Sequence, residues 1–158
     1  MPYEFKMTRR VEFAETDMAG IMHFSNFFRF MESAEHAFFR SLGYSVHEAG
    51  EGLVLGWPRV QASCDYRAPL RFEEEVEIHL LVERVGNRSI SYQCVFRKRA
   101  GDGGAGALVA RGQLKVVCAG MKPGGGGMAS CAIPDEMREA IQVAPPEVLA
   151  ENRLAHGT

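Results

Sequence analysis

The sequence has 158 residues, 46% of them hydrophobic, which is enough for one domain with a buried core. Eighteen basic and twenty acidic side chains leave a formal net charge of -2, so the overall charge does not indicate a nucleic-acid or membrane partner. The first ten residues hold no apolar signal-peptide core, and no run approaches the roughly 18 apolar residues of a membrane span. We therefore expect a soluble, cytoplasmic protein.

The first predicted element is a strand over residues 3–14. Its apolar residues recur at even spacing, which puts them on one face of an extended chain. These residues are Phe5, Met7, Val11 and Phe13.

A long apolar helix is predicted from Phe24 to Leu42. Apolar side chains recur there every third or fourth residue and cover at least half of the circumference, so we expect the helix to be buried. Ser25 or Asn26 can be the N-cap, with a side-chain oxygen that accepts a backbone N–H. Gly43 follows the helix, where a left-handed residue commonly ends one.

The middle of the chain predicts an antiparallel sheet, because strand-like blocks follow one another with short turns between them. In the second block, Val76, Ile78, Leu80 and Val82 alternate with Glu77, His79 and Leu81, as in a sheet with one covered face. The third block has the same spacing of apolar residues from Ile90 to Phe96. The predicted strands cover residues 59–70, 73–85, 87–99 and 108–120, and the predicted connections cover 85–88 and 100–107.

The rest of the chain is less regular. A Gly-rich connector at 121–130 is interpreted as a loop, since no GK[ST] motif supports phosphate binding. A short helix is predicted from about 133 to 143, and the last dozen residues are expected to be frayed. We therefore assign residues 1–143 to a single domain and 144–158 to a C-terminal tail.

The four cysteines are scattered, without a CxxC pair or a histidine at metal-ligand spacing. This pattern favours buried or half-buried thiols over a disulfide framework or a zinc site. We expect no metal and no separate cofactor. The cysteines are Cys64, Cys94, Cys118 and Cys131.

Together these elements predict an α+β fold, in which an antiparallel sheet of about five strands covers one long central helix. Such a sheet leaves an unpaired edge and an outer face. Self-association through the sheet is therefore expected.

The chain resembles the hotdog-fold thioesterases of the 4-hydroxybenzoyl-CoA thioesterase group, over roughly residues 8 to 142. The D-x-x-G turn before the helix is moderately specific alone and becomes specific when the other blocks follow in order. The matching segments are VEFAETDMAGIMHFSN at 11–26, DYRAPLRFEEEVEI at 65–78, RVGNRSISYQCVF at 84–96, ARGQLKVVC at 110–118 and IPDEMREAI at 133–141.

This resemblance implies homodimers in which a continuous sheet encloses the two helices, often paired again into homotetramers, with active sites between subunits. It also implies an acyl-CoA substrate, with coenzyme A present only as part of that substrate. The resemblance further implies that Asp17 is the catalytic carboxylate and that the amide of Phe24 or its neighbour polarises the thioester carbonyl.

The residues fit that chemistry. A carboxylate such as Asp17 can attack the thioester carbon or take a proton from water, and the sequence does not decide between the two. Backbone N–H groups of the turn that follows Gly20 can stabilise the oxyanion. The alternative is that Asp17 only shapes the turn.

One departure concerns residues 23–26. Relatives often have His or Tyr where this chain has Phe24, and His23 stands one position earlier. His23 is a candidate to orient water or touch the acyl group, or it is a packed turn histidine. The run from Phe24 to Asn26 is similar to the aryl-CoA branch, so Phe24 and Asn26 are candidate substrate-binding residues. Phe27 and Phe28 could frame a flat acyl ring, although core packing explains them equally well.

Three further residues have two interpretations each. By resemblance, Arg88 meets the coenzyme A phosphates, or it is a solvated turn arginine. Glu32 and Glu35 lie on or beside the apolar stripe of the helix, where they are a functional acid pair or are paired or solvated.

The hypothesis is an acyl-CoA thioesterase for an aromatic or short to medium acyl group. An acyl-carrier-protein thioesterase and a non-catalytic module that binds acyl groups or partner proteins are the alternatives. A hotdog hydratase is disfavoured, because hydratases need an Asp and a His on one helix and Asp17 precedes the helix.

Overall fold

Residues 2–50, 53–121 and 126–154 are described by a computed structural model. Its main sheet has five antiparallel strands in the order β1-β5-β6-β7-β4, which confirms the predicted antiparallel sheet. The strands are β1 (Glu4–Arg10), β4 (Arg59–Tyr66), β5 (Glu75–Val85), β6 (Ser89–Arg99) and β7 (Ala105–Val117).

A second, smaller antiparallel sheet has the order β2-β3-β8-β9. Its strands are β2 (Glu48–Gly50), β3 (Leu53–Gly56), β8 (Ala119–Met121) and β9 (Ala129–Ser130). The chain leaves the main sheet at Cys118, so the single strand predicted over 108–120 is wrong: it is two strands in different sheets.

Helix α1 runs from Asn26 to Ser41, close to the predicted bounds. It ends as predicted, because Gly43 is left-handed with φ of 87° and its N–H donates to the Arg40 carbonyl at 3.0 Å. At the other end the prediction is wrong in part. Ser25 holds the N-cap position, but its side chain makes no capping hydrogen bond.

The core lies between α1 and the inner face of the main sheet. Val76 to Val82 and Ile90 to Phe96 turn alternate apolar side chains into it, and these are fully buried, as the alternating pattern predicted. On β7, a Cβ at Gly112 would overlap Sδ of Met31 on α1, so the end of this buried methionine side chain would have to move. The glycine therefore leaves room for the Met31 side chain between the helix and the sheet.

Two strand predictions extend too far. Strand β1 ends at Arg10, and Phe13 lies instead in a 3-10 turn, Phe13–Glu15, where its side chain is 77% exposed. The block predicted over 59–70 leaves the sheet after Tyr66.

The C-terminal region contains two helices, α2 (Asp135–Ala140) and α3 (Pro146–Leu154). Leu149 of α3 packs with Ala144 against Leu81, on the outer face of β5. The expectation of a frayed end is therefore wrong for residues 147–154. Residues 155–158 and positions 122–125 of the Gly-rich connector lie outside the described residues.

The four cysteines are free thiols, two buried and two half-buried, as expected. Among the described residues, no helix is both long enough and apolar enough to cross a membrane.

Glu35 is a fully buried acid on α1. Nη1 of Arg59 donates to both of its carboxyl oxygens, at 2.9 and 3.1 Å, and Nη2 of the same arginine lies 3.7 Å from Glu32. Both acids are thus paired, which was the second of the two interpretations. Burial raises the pKa of Glu35 to about 7, although the Arg59 charge opposes the shift.

We predict that Glu35 makes folding less favourable as the pH rises. Its folded pKa of about 7 exceeds its ordinary value of 4.5, so its stabilising contribution is complete below pH 4.5 and is lost as the pH passes through about 7. Urea unfolding of wild type and Glu35→Gln at pH 5 and pH 8 measures this. The stability of wild type relative to the variant should fall by on the order of 1–3 kcal/mol. A rise in the relative stability of wild type between pH 5 and pH 8 would mean that the Arg59 charge lowers the pKa of Glu35 more than burial raises it.

Candidate active site

The turn between β1 and α1 fixes the position of Asp17. The Asp17 N–H donates to the Ile21 carbonyl at 2.9 Å, and the Gly20 N–H returns to the Asp17 carbonyl at 3.0 Å. Gly20 has φ of 79°, a left-handed conformation that a glycine adopts without strain. The predicted Gly-containing turn is therefore present, and backbone hydrogen bonds hold its acid in place.

The carboxyl group of Asp17 is exposed, with Oδ1 accepting the Ala19 N–H at 2.8 Å. It borders two cavities. The first, named here the aromatic cavity, is about 490 Å³ and is also lined by Phe24, Phe27, Tyr66 and residues 67–70. The second, the turn cavity, is about 500 Å³, and Phe13, Met18, Gly20 and Phe72 are among its lining residues.

The start of α1 leaves one amide free. The N–H of His23 donates to the Glu15 carbonyl at 2.9 Å, and that of Asn26 to the His23 carbonyl at 3.0 Å. The Ser25 N–H approaches His23 Nδ1 at 3.3 Å. The N–H of Phe24 has no acceptor among the described residues. Phe24 and Asp17 both line the aromatic cavity, so this amide without an acceptor belongs to a segment that borders the cavity.

Tyr66 supports the same segment from strand β4. Its hydroxyl donates to the Phe24 carbonyl at 3.0 Å, and its ring makes edge contacts with Phe24 and Phe27. Partial burial raises the pKa of Tyr66 to about 12, so the hydroxyl remains a donor at neutral pH. Tyr66 therefore restrains the residue that carries the free amide.

Other predicted site residues lie outside the two cavities. His23 is half-buried, with its ring tilted against that of Phe24 at a centroid distance of 4.5 Å and its Nδ1 2.7 Å from Ser25 Oγ. Asn26 donates from its side-chain amide to the Glu15 carbonyl at 2.8 Å, which ties α1 to the preceding 3-10 turn. Their roles in chemistry and binding stay predictions.

Arg88 is far from Asp17 within one chain. It precedes β6, whereas Phe96, near the other end of β6, contacts Phe27 beside the aromatic cavity. Eight residues of strand separate Arg88 and Phe96, or roughly 27 Å. Nη1 of Arg88 donates to the Ser130 carbonyl at 3.3 Å and to Ser130 Oγ at 3.1 Å.

Sequence reasoning missed the wall of the aromatic cavity that Tyr66 and residues 67–70 form. The available signal is Pro69, since a proline and the residue before it disfavour a regular central strand. Among the described residues, no group of three or more His, Cys, Asp and Glu side chains is arranged to hold a metal ion.

Comparison with known proteins decides the family. The model of the thioesterase-like superfamily matches residues 11–141. The chain belongs to the thioesterase-like superfamily.

Relatives of this superfamily member span most of its length. A 1,4-dihydroxy-2-naphthoyl-CoA hydrolase of Trichodesmium erythraeum is 30% identical over 116 residues, which are 72% of this chain and 80% of the relative. The structure of a gentisyl-coenzyme A thioesterase is 30% identical with a TM-score of 0.72, over 87% of this chain and 100% of the other.

The hotdog fold is shared more widely. The 4-hydroxybenzoyl-CoA thioesterase from Pseudomonas sp. strain CBS-3 matches with a TM-score of 0.73 at 20% identity, over 87% of this chain and 99% of the other. At that identity the likeness shows the fold alone. The family model and the gentisyl-coenzyme A thioesterase structure together confirm the family resemblance inferred from the sequence.

We predict that Tyr66→Phe slows thioester hydrolysis. Without the hydroxyl, the Phe24 segment loses a restraint, so kcat should fall roughly 3- to 10-fold, equivalent to about 1 kcal/mol. The Michaelis constant should change little, because no substrate contact is removed. Steady-state kinetics measures both constants, and Tyr3→Phe, on the outer face of the sheet, is the matched control. An unchanged kcat in Tyr66→Phe would show that the restraint is unnecessary.

Proposed function

We propose that this thioester hydrolase acts on an acyl-coenzyme A and releases the free acid and coenzyme A. One observation supports the proposal: Asp17 and Phe24 line the same cavity, and the Phe24 N–H has no acceptor among the described residues. A thioester carbon placed there has an acid on one side and a hydrogen-bond donor for its oxygen on the other.

An aromatic acyl group fits this cavity best. Its walls include the rings of Phe24, Phe27 and Tyr66, and planar aromatic groups favour such edge and face contacts. Two relatives at 30% identity are named for aromatic acyl-CoA substrates, 1,4-dihydroxy-2-naphthoyl-CoA and gentisyl-CoA. A short or medium acyl group is the next candidate.

In the proposed reaction, the Phe24 N–H donates to the thioester oxygen as negative charge develops there, and the N-terminal end of α1 adds its dipole. Asp17 acts in one of two ways. As a nucleophile, its oxygen displaces the coenzyme A thiolate to give a mixed anhydride, which water then cleaves. As a general base, it takes a proton from water while the water oxygen attacks the carbonyl carbon. Neither route uses a metal or a redox cofactor.

The proposed assembly is a homodimer formed through β4. This strand is one edge of the main sheet, and most of its side chains are exposed, including Val60 and Tyr66. An unpaired edge of eight residues can hydrogen-bond to a second copy, which would extend the sheet around both α1 helices. Pairing of dimers into homotetramers is expected from the family resemblance.

Dimerisation would also give Arg88 a role. Antiparallel pairing of β4 with its copy about a two-fold axis places opposite ends of the two sheets side by side. The Arg88 end of one copy would then lie beside the Asp17 end of the other. We propose that Arg88 binds the coenzyme A phosphates of the neighbouring copy's substrate.

Asp17→Asn should remove hydrolysis. The amide can neither attack the carbonyl carbon nor accept a proton, so kcat should fall roughly 100-fold or more. Thiol release from a panel of aryl-, short- and medium-chain acyl-CoAs, followed with a thiol reagent, measures this. Asp102→Asn is the matched control, because Asp102 also accepts an N–H two residues along the chain, from Gly104 at 2.8 Å.

Each outcome of this assay has a meaning. Full activity in Asp17→Asn would remove the proposed role of Asp17. If wild type releases no thiol from any acyl-CoA but does so from acyl carrier protein, the carrier-protein alternative is correct. Binding without release from either substrate would identify a non-catalytic module.

Arg88→Ala should raise the Michaelis constant for acyl-CoA roughly 5- to 20-fold. The same variant should leave the Michaelis constant for the corresponding N-acetylcysteamine thioester unchanged, since this substrate has no phosphate. Arg40→Ala is the control, because Arg40 is an exposed arginine in the last turn of α1.

Mixing variants tests whether the site is shared. When Asp17→Asn and Arg88→Ala chains are refolded together, about one site in four should combine an intact Asp17 with an intact Arg88. Activity at low acyl-CoA concentration should therefore exceed the sum of the separate variants. Absence of recovery would show that Arg88 does not act across the dimer.

A further inference from the structure

We propose that Cys118 and Cys131 are a covalent modification site, at which a small-molecule disulfide converts the two thiols into a reversible intramolecular disulfide. Their Sγ atoms lie 3.5 Å apart. A disulfide bond is about 2 Å long, so the sulfurs need to approach by only about 1.5 Å.

The backbone at these positions favours the bond. The Cys131 N–H donates to the Cys118 carbonyl at 2.9 Å, and the next residues pair as Ala119 with Ser130 in β8 and β9. The two cysteines thus occupy facing positions on antiparallel segments. Cα atoms at facing positions of antiparallel strands are about 4.5–5.5 Å apart, within the range that disulfides span.

The other two thiols do not have this arrangement. Cys64 and Cys94 both pair with Gly112, from opposite sides of β7. They are therefore two strand spacings apart, roughly 9–10 Å, which exceeds the separation that a disulfide can bridge without movement of the backbone. They provide an internal control.

The reaction has two exchange steps. The half-buried Cys131 is the thiol that an oxidant can reach, and its thiolate attacks a sulfur of oxidised glutathione, releasing one glutathione thiolate and leaving a mixed disulfide. Cys118 then attacks the Cys131 sulfur and releases the second glutathione. Two protein thiols are oxidised, and one glutathione disulfide is reduced to two thiols.

The second step should be slow at neutral pH. Cys118 is fully buried, and burial raises the pKa of its thiol to about 12, so little thiolate is available. Formation of the Cys118–Cys131 disulfide from the mixed disulfide should therefore accelerate with rising pH. The final product should be the same at each pH.

The bond would lie beside Arg88. The Cys118 N–H donates to the Arg88 carbonyl at 2.7 Å, and Ser130, next to Cys131, accepts the hydrogen bonds of the Arg88 side chain. A disulfide would join the two segments that contact this arginine. It would also close a loop around the Gly-rich connector, which restricts the unfolded chain.

Mass spectrometry of the native protein after treatment with oxidised glutathione tests the proposal. Trypsin should leave Val116–Arg138 as one peptide, because Lys122 is followed by Pro123. We expect this peptide to lose about 2 Da and to resist alkylation until it is reduced. Cys64 and Cys94 should still be alkylated after denaturation. The melting temperature should rise by about 5 °C and return to its original value after reduction.

Variants separate the steps. Cys118→Ser should stop at a glutathione adduct on Cys131, Cys131→Ser should form no internal bond, and Cys64→Ser should behave as wild type. Their melting temperatures before oxidation establish that they are folded. The proposal is overturned if wild type remains reduced or stops at the mixed disulfide even at pH 9, or if Cys64→Ser prevents the bond. This outcome does not depend on any enzymatic activity.

Discussion

The close approach of helix α1 to the main sheet is the constraint on which the site depends. Met31 lies over Gly112, and the apolar face of the helix is buried against β5 and β6. Because the helix cannot shift without leaving a cavity or colliding with the sheet, its first turn has a fixed position. Phe24, which comes just before that turn, lines the same cavity as Asp17. The packing of the core thus places the chemical groups.

Much of the fold was predictable because burial leaves a periodic signal. The helix and strands β5 and β6 each bury one face, and their apolar residues repeat accordingly. The errors have local causes. Even spacing also placed Phe13 in a strand, although it lies in a turn. The last dozen residues were expected to be frayed, whereas Pro146 is the first residue of α3, a position that suits proline because its missing N–H is not needed there.

The candidate site was predictable only in part. Asp17 and the amide of Phe24 belong to one short segment, so their proximity follows from local sequence. Tyr66 contacts Phe24 from 42 positions away, and no sequence periodicity reports such a contact. The location of Arg88 could not be inferred either, because a turn residue has no fixed distance from a helix until the sheet order is known.

The free donor at the start of α1 is a main-chain group, and this has a consequence for how such a site can change. Any residue except proline at position 24 supplies the same N–H. Phe24 is 61% exposed, so its side chain could vary in size and polarity without loss of the proposed oxyanion contact. If the proposed role of this amide holds, substrate range and reaction chemistry are separable at one residue, because a substitution can reshape the cavity entrance while the N–H is retained.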